Sequence, residues 1–293
     1  MTVVHYSLTL IAQRDATTRF GAALARVRDA LGGEADVLSP GEAADITLSF
    51  PPDMEVVRAA VDGAAIDAIA TVAKGRRKSL LVADMDSTIV TGETLDELAD
   101  FAGLKDRIAS ITARAMNGEL DFKAALRERV AMLRGLPVDA LERAWQRVRL
   151  TEGARELVAT MRAHGAYTAL VSGGFTFFTS RVAALCGFHM HRSNTLLDDG
   201  ATLTGLVGEP ILDRDTKLAT LNTLAAERGL ARSATLAVGD GANDLDMLRA
   251  AGLGVAFHAK PIVAAAAQTR VDHADLRALL FAQGYRAEEI VTP

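Results

Sequence analysis

A single cysteine, Cys186, leaves this chain no means of forming an intrachain disulfide. It sits in an apolar helical pattern, where a buried, inert thiol is expected rather than a nucleophile. Aromatic residues make up only 5% of the chain, and its one tryptophan, Trp145, reads as packing rather than as a platform for stacked bases. Positive charge is not in excess. With 32 Lys and Arg against 37 Asp and Glu, the net charge of -5 gives no general attraction to nucleic acid or to an anionic membrane. An acidic substrate would have to be held by local basic residues. No run approaches the roughly 20 apolar residues of a membrane span. The most apolar late stretch, Leu253 to Ala267, is broken by His258, Lys260 and Pro261. The start lacks the basic and apolar regions of a secretory signal, so a soluble cytoplasmic protein is the default expectation. His5, His164, His189, His191, His258 and His273 form no metal-like set, and His189-x-His191 reads as a strand edge or loop. Ser87 and Ser172 have no histidine partner in view, which speaks against a serine hydrolase.

What is present points to a globular α/β protein. Hydrophobic residues are 49% and charged residues 24%, and 293 residues suit about two domains. Residues 1–73 read as a small α+β unit: a strand over Val3–Ile11, a helix over Ala16–Leu31 ended by Gly32-Gly33, a strand over Asp45–Phe50, and one or two helices over Met54–Ala73. The run Lys74-Gly75-Arg76-Arg77-Lys78 reads as a solvated linker. Beyond it, strand patterns at Ser79–Ala83, Tyr167–Ser172, Ala234–Gly239 and Gly254–Phe257 alternate with helical ones, which predicts a parallel sheet covered on both faces. Residues 93–148 are helical throughout and too long for a simple crossover, so they are expected to form a cap. The expected core is then 79–92 with 149–293. A smaller insertion, 193–208, carries hairpin-turn chemistry at Asp198-Asp199-Gly200.

The most informative stretch is Asp84-Met85-Asp86-Ser87-Thr88, directly after an apolar strand. Side chains alternate along a strand, so Asp84 and Asp86 leave it on one side. At about 4 Å and an effective dielectric of about 20, two like charges cost roughly 4 kcal/mol. A divalent cation, or a protonated carboxyl, relieves that cost, and the hydroxyls that follow suit an oxyanion. An Asp-rich turn capping a helix has the same local look. Three further clusters fall at or near strand ends, where open parallel sheets place their sites. They are Ser172-Gly173-Gly174, Lys217, and Gly239-Asp240-Gly241-Ala242-Asn243-Asp244. The last supplies hard oxygen ligands for a cation.

Taken in order, these four motifs resemble the haloacid dehalogenase superfamily of phosphohydrolases. Finer matches resemble its phosphoserine-hydrolysing branch: Asp84–Thr88 with Glu93, Ala115-Met116-Asn117-Gly118-Glu119-Leu120-Asp121-Phe122, Leu126–Val130, Val171–Phe175 and Ala259-Lys260-Pro261. The resemblance covers about residues 79 to 280. It implies a Rossmann-like core, a helical cap inserted after the first core strand, and an N-terminal unit of the kind that in some members is of ACT type. It implies Asp84 as nucleophile, Asp86 as acid and base, and Lys217 beside them. Mg²⁺ would be held by Asp84, the Asp86 carbonyl and Asp240, with Asp244 behind. Ser172, Gly173, Lys217 and Asn243 would hold the phosphate. For the small-molecule substrate, phosphoserine, Glu93 would meet the ammonium and Arg129 the carboxylate, under an apolar wall of Met116 and Phe122. No nucleic-acid or membrane partner is implied, and a homodimer is compatible. A sister phosphatase or phosphotransferase shares most of this pattern. A phosphate-sensing receiver module, of a different class, needs neither the second aspartate nor the cap.

Overall fold

The computed structural model describes residues 4–14, 19–61, 63–116 and 119–293, without the side chain of Met116. Val3 and Ala16–Thr18, expected at the start of the first strand and helix, lie outside the described residues.

Six parallel strands form the larger sheet: β5 (Leu80–Ala83), β6 (Tyr167–Phe175), β7 (Met190–Asn194), β10 (Thr235–Gly239), β11 (Leu253–Phe257) and β12 (Thr269–Val271). Their spatial order is β12-β11-β10-β5-β6-β7. β5 and β10 are buried along their whole length because helices cover both faces, which is why they read as unbroken apolar runs. The chain runs outward from β5 through β6 to β7, then returns on the other side of β5 to lay down β10, β11 and β12. The order therefore reverses between β5 and β10, and a crevice opens outside their carboxyl ends.

Four helices lie between β5 and β6 over that crevice: α3 (Thr94–Asp100), α4 (Lys105–Met116), α5 (Phe122–Ala131) and α6 (Asp139–Trp145). The second insertion is a hairpin of β8 (Leu196–Asp198) and β9 (Leu203–Val207), pairing Leu197 with Leu206. Its turn is held by Asp199 Oδ1, which accepts from the N–H groups of Ala201 at 2.9 Å and Thr202 at 2.7 Å. The hairpin grips the segment after α5: Gly135 N–H donates to Leu203 O, and Leu203 N–H to Leu136 O, both at 2.8 Å. Further along come α7 (Ala154–Ala163), α8 (Thr176–Cys186), α9 (Arg214–Glu227), α10 (Leu245–Ala250), α11 (Pro261–Ala266) and α12 (Ala278–Phe281). No helix among the described residues is long and apolar enough to cross a membrane.

The described residues up to Val72 include an antiparallel sheet in the order β2-β3-β1-β4, from β1 (Tyr6–Ala12), β2 (Glu34–Ser39), β3 (Ala43–Leu48) and β4 (Ile66–Val72). With α1 (Phe20–Leu31) and α2 (Met54–Ala60) the chain order is βαββαβ, a split-βαβ arrangement. The helix expected to continue past Gly63 is instead β4. The alanines of Ile66-Asp67-Ala68-Ile69-Ala70 suit a helix, but pairing along all of β1 outweighs that local preference. β2 also went unforeseen, because its pattern is largely exposed. The basic run is a set of ties, not a solvated linker. Arg76 pairs with Asp45, Arg77 with Glu289 at 2.7 Å, and the buried Lys78 donates to Ser233 O at 2.8 Å. Ile11, Leu38, Ala43 and Ile69 join the same apolar cluster as Leu276 and Phe281 of the larger unit.

Candidate active site

Asp84 follows β5 and Asp240 follows β10, so adjacent parallel strands deliver two carboxylates side by side. The Asp84 N–H still donates across to Val238 O at 3.0 Å, which fixes their relative height. After Asp84 the backbone makes a tight turn in which Ser87 takes a φ of 55°, in the sparsely populated left-handed region. Val90 N–H closes the turn on Met85 O at 2.9 Å. The turn presents Thr88 to Asp240 (Oγ1 to Oδ1, 3.3 Å) and Ser87 to Glu93 (Oγ to Oε1, 2.9 Å).

Lys217 rises from the first turns of α9 and is buried between two carboxylates, 2.7 Å from Asp84 Oδ1 and 2.6 Å from Asp244 Oδ1. The other oxygen of Asp244 accepts the Gly241 N–H at 3.0 Å, so both of its oxygens are committed. Gly239 is required here because a Cβ would run into the Asp244 carboxyl. Asp84, Asp240 and Asp244 each offer an oxygen, all within 4.8 Å of one another. Burial and the neighbouring Asp244 charge push Asp84 well above the usual carboxylate range. The same two causes raise Asp240 to about 6. Burial works against the Lys217 charge, but the carboxylates of Asp244 and Asp84 overcome it and hold the ammonium protonated. Lys260, at 3.3 Å from Asp240 and 3.8 Å from Glu93, adds positive charge at the rim. Three buried acids around one buried lysine form a hard-oxygen set suited to a divalent cation, with Asp84 and Asp240 facing it.

Asp86 points the other way. Its Oδ1 accepts the Thr94 N–H at 2.8 Å and its Oδ2 the Ser172 hydroxyl at 3.3 Å. Burial, with the Glu93 charge beside it, raises this carboxyl to about 7. Its side chain is thus no member of the cation cluster. Ser172 ends the buried part of β6 and also accepts the Gly174 N–H at 2.8 Å. A Cβ on Gly174 would come within 2.7 Å of Asp86 Oδ2, so glycine is what lets the carboxylate and the serine approach. Asn194 Nδ2 holds the Gly173 carbonyl at 2.8 Å.

The cap closes the chamber. Asp84, Asp86, Glu93, Phe122, Arg129, Ser172, Gly173 and Asn243 line one cavity of about 580 Å³, its open mouth included. The Phe122 ring lies over Gly173, within 3.0 Å of where a Cβ would be. Arg129, only 6% exposed, sets its guanidinium in the wall through Ala125 O at 3.2 Å and Thr112 Oγ1 at 2.8 Å. The Asn243 Oδ1 is buried without a hydrogen-bond partner among the described residues. Met116 ends α4, and its side chain lies outside the described residues. Sequence reasoning missed Thr112, Asp96 and the reach of Lys260. Only the last left a trace, in Ala259-Lys260-Pro261.

Paired carboxylates beside a buried lysine, in a chamber at the switch point of a parallel sheet, make a site suited to a phosphoryl group. Comparison with known proteins agrees: a model of the haloacid dehalogenase-like hydrolases matches residues 81–249, and the chain belongs to that family. Several of its relatives are phosphoserine phosphatases. It is 45% identical over 225 residues to the phosphoserine phosphatase of Streptomyces coelicolor, covering 76% of this chain and 55% of that protein. It is 46% identical over 188 residues to the phosphoserine phosphatase of Archaeoglobus fulgidus, covering 64% and 55%. The chain thus spans about half the length of these two relatives. A solved phospho-aspartyl intermediate analogue of phosphoserine phosphatase superposes with a TM-score of 0.66 at 39% identity, covering 70% of this chain and 98% of that one.

Proposed function

We propose that this chain is a Mg²⁺-dependent phosphatase that hydrolyses O-phosphoserine to serine and phosphate, a cytoplasmic step that ends serine biosynthesis. The observation that carries the reading is one chamber lined by Asp84 and Asp86 at its floor and by Glu93 and Arg129 on its cap wall, with Lys217 buried against Asp84 at 2.7 Å. Residues 93–148 act as the cap, over a core of 79–92 and 149–293, and residues 1–73 brace that core. Asp84 and Asp240, with the Asp86 carbonyl, would hold the cation, which supplies positive charge for the phosphoryl oxygens.

An Asp84 oxygen bonds to phosphorus as the bond from phosphorus to the serine oxygen breaks. Asp86 delivers a proton to that leaving oxygen. Water then attacks phosphorus, Asp86 takes the water's proton, and the bond to Asp84 breaks, releasing phosphate. Both steps need a carboxyl whose proton comes and goes. Lys217, Ser172, the Gly173 N–H and Asn243 stabilise charge spread over the equatorial oxygens. Asp244 holds the Lys217 ammonium against Asp84. Glu93 takes the substrate ammonium, and the planar Arg129 fork takes its carboxylate.

Phosphate release from phosphoserine, with and without Mg²⁺, tests this reading. Turnover is expected to require the cation, and Asp84→Asn to lower it at least about a thousandfold. Full turnover by Asp84→Asn, or no advantage of phosphoserine over sugar phosphates, would overturn it.

A further inference from the structure

The substrate's carboxylate, on the reading above, is met by Arg129, yet nothing in that reading says what aims Arg129. A guanidinium has five N–H donors in one plane. Two of them are spent inside the cap: Nε–H on Ala125 O at 3.2 Å, one turn back on α5, and one Nη1–H on Thr112 Oγ1 at 2.8 Å, across on α4. The bond along α5 fixes where the stem turns. Only the bond to Thr112 fixes the rotation of the plane. The Nη2 group has no hydrogen-bond partner among the described residues, and Arg129 shares the cavity wall with Phe122 and Leu126.

Thr112 is itself held. Its hydroxyl lies 3.0 Å from Ile108 O, one turn earlier on α4, and 3.4 Å from Asp96 Oδ1 on α3. A hydroxyl has one proton to give, so it donates to one of these oxygens and turns a lone pair towards Arg129. Three cap helices thus bring one side chain each to this point: Asp96 from α3, Thr112 from α4 and Arg129 from α5. Thr112 is 5% exposed and lines the same cavity. A threonine bonded only to its own helix backbone would need no arginine. Here the buried arginine takes one of its two side-chain anchors from it.

We propose that Thr112 is a positioning residue that aims the Arg129 guanidinium, and that it thereby sets the preference for phosphomonoesters carrying a carboxylate. The inference rests on the phosphoserine reading and deepens it. The test compares O-phosphoserine with O-phosphoethanolamine, which keeps the phosphate and the ammonium and lacks the carboxylate.

In Thr112→Val, which keeps the shape and loses the hydroxyl, KM for phosphoserine should rise about tenfold, the loss expected for one hydrogen bond to a charged group. Its kcat should stay within about threefold, and both constants for phosphoethanolamine within about twofold. Thr112→Ser should restore the wild-type preference, and Arg129→Ala should abolish it. Should the valine variant not fold, Thr112→Ala replaces it with the same expectation. An undiminished preference in the variant that folds overturns the proposal alone. A wild type with no preference for phosphoserine overturns the substrate reading and the proposal together.

Discussion

At the scale of single residues, the floor of the site is an unbalanced charge cluster, and Lys217 is what makes it tolerable. The ammonium is enclosed by Asp84 and Asp244, both almost fully buried. Removing one partner of such a buried group leaves the others uncompensated, at a cost of about 3–5 kcal/mol. Lys217→Met should therefore lower the unfolding free energy by about that amount in urea without added divalent cation, as well as abolish turnover. Adding Asp244→Asn should recover part of the stability and none of the activity. Equal stability of Lys217→Met and the parent would contradict this view of the cluster. The floor was legible in the sequence because its acids fall within five residues of the end of an apolar strand. Glu93 and Arg129 were legible only through resemblance, since an acid at a helix start and a charge on a helix are ordinary. Thr112 and Asp96 gave no signal, because three helices must first be packed before their side chains meet.

Among the elements, α5 joins the cap to the core. Lys123 and Arg127 lie one turn apart on it. They pair with Asp213 at 2.8 Å and Glu209 at 2.7 Å, both on the segment leading into α9. Asp213 is also the N-cap of α9, accepting from the N–H groups of Asp215 and Thr216. The helix that carries Phe122 and Arg129 is thus tied to the start of the helix that carries Lys217. Exposed pairs are each worth about 0–1 kcal/mol, so the tie should bias closure and leave folding intact. Lys123→Glu with Arg127→Glu should speed amide exchange in α5, with a melting temperature close to the parent's. Unchanged exchange in α5 would remove the tie. The central strands of the larger sheet could be read directly, since burial on both faces leaves them uniformly apolar. β2 and β4 could not, because exposed or alanine-rich strands owe their form to the neighbour they pair with, and β7 showed only as a strand edge or loop at His189-x-His191.

For the molecule as a whole, the first 72 residues and the larger unit meet through polar anchors around an apolar patch. Arg277 pairs with Glu42, Arg286 with Asp36 at 2.5 Å, and Arg14 with Glu152 at 2.6 Å. Buried in β4, Asp67 accepts three successive backbone N–H groups, from Asp272 at 2.7 Å, His273 at 3.1 Å and Ala274 at 2.8 Å. Asp67→Ala would strip all three, and it should lower the unfolding free energy by about 2 kcal/mol or more in urea titration. Asp67→Asn should recover part of the loss, since its one amide oxygen can still accept from His273 and Ala274 while its NH2 group faces the Asp272 N–H. A loss below about 0.5 kcal/mol would mean that the apolar patch alone holds the two together.

That aspartate grips the main chain and not any side chain. Positions 272 and 273, both exposed, can therefore change identity without loosening the joint, whereas position 67 tolerates almost nothing else. Among diverging copies of this protein, one side of the seam is free to drift while the other stands still.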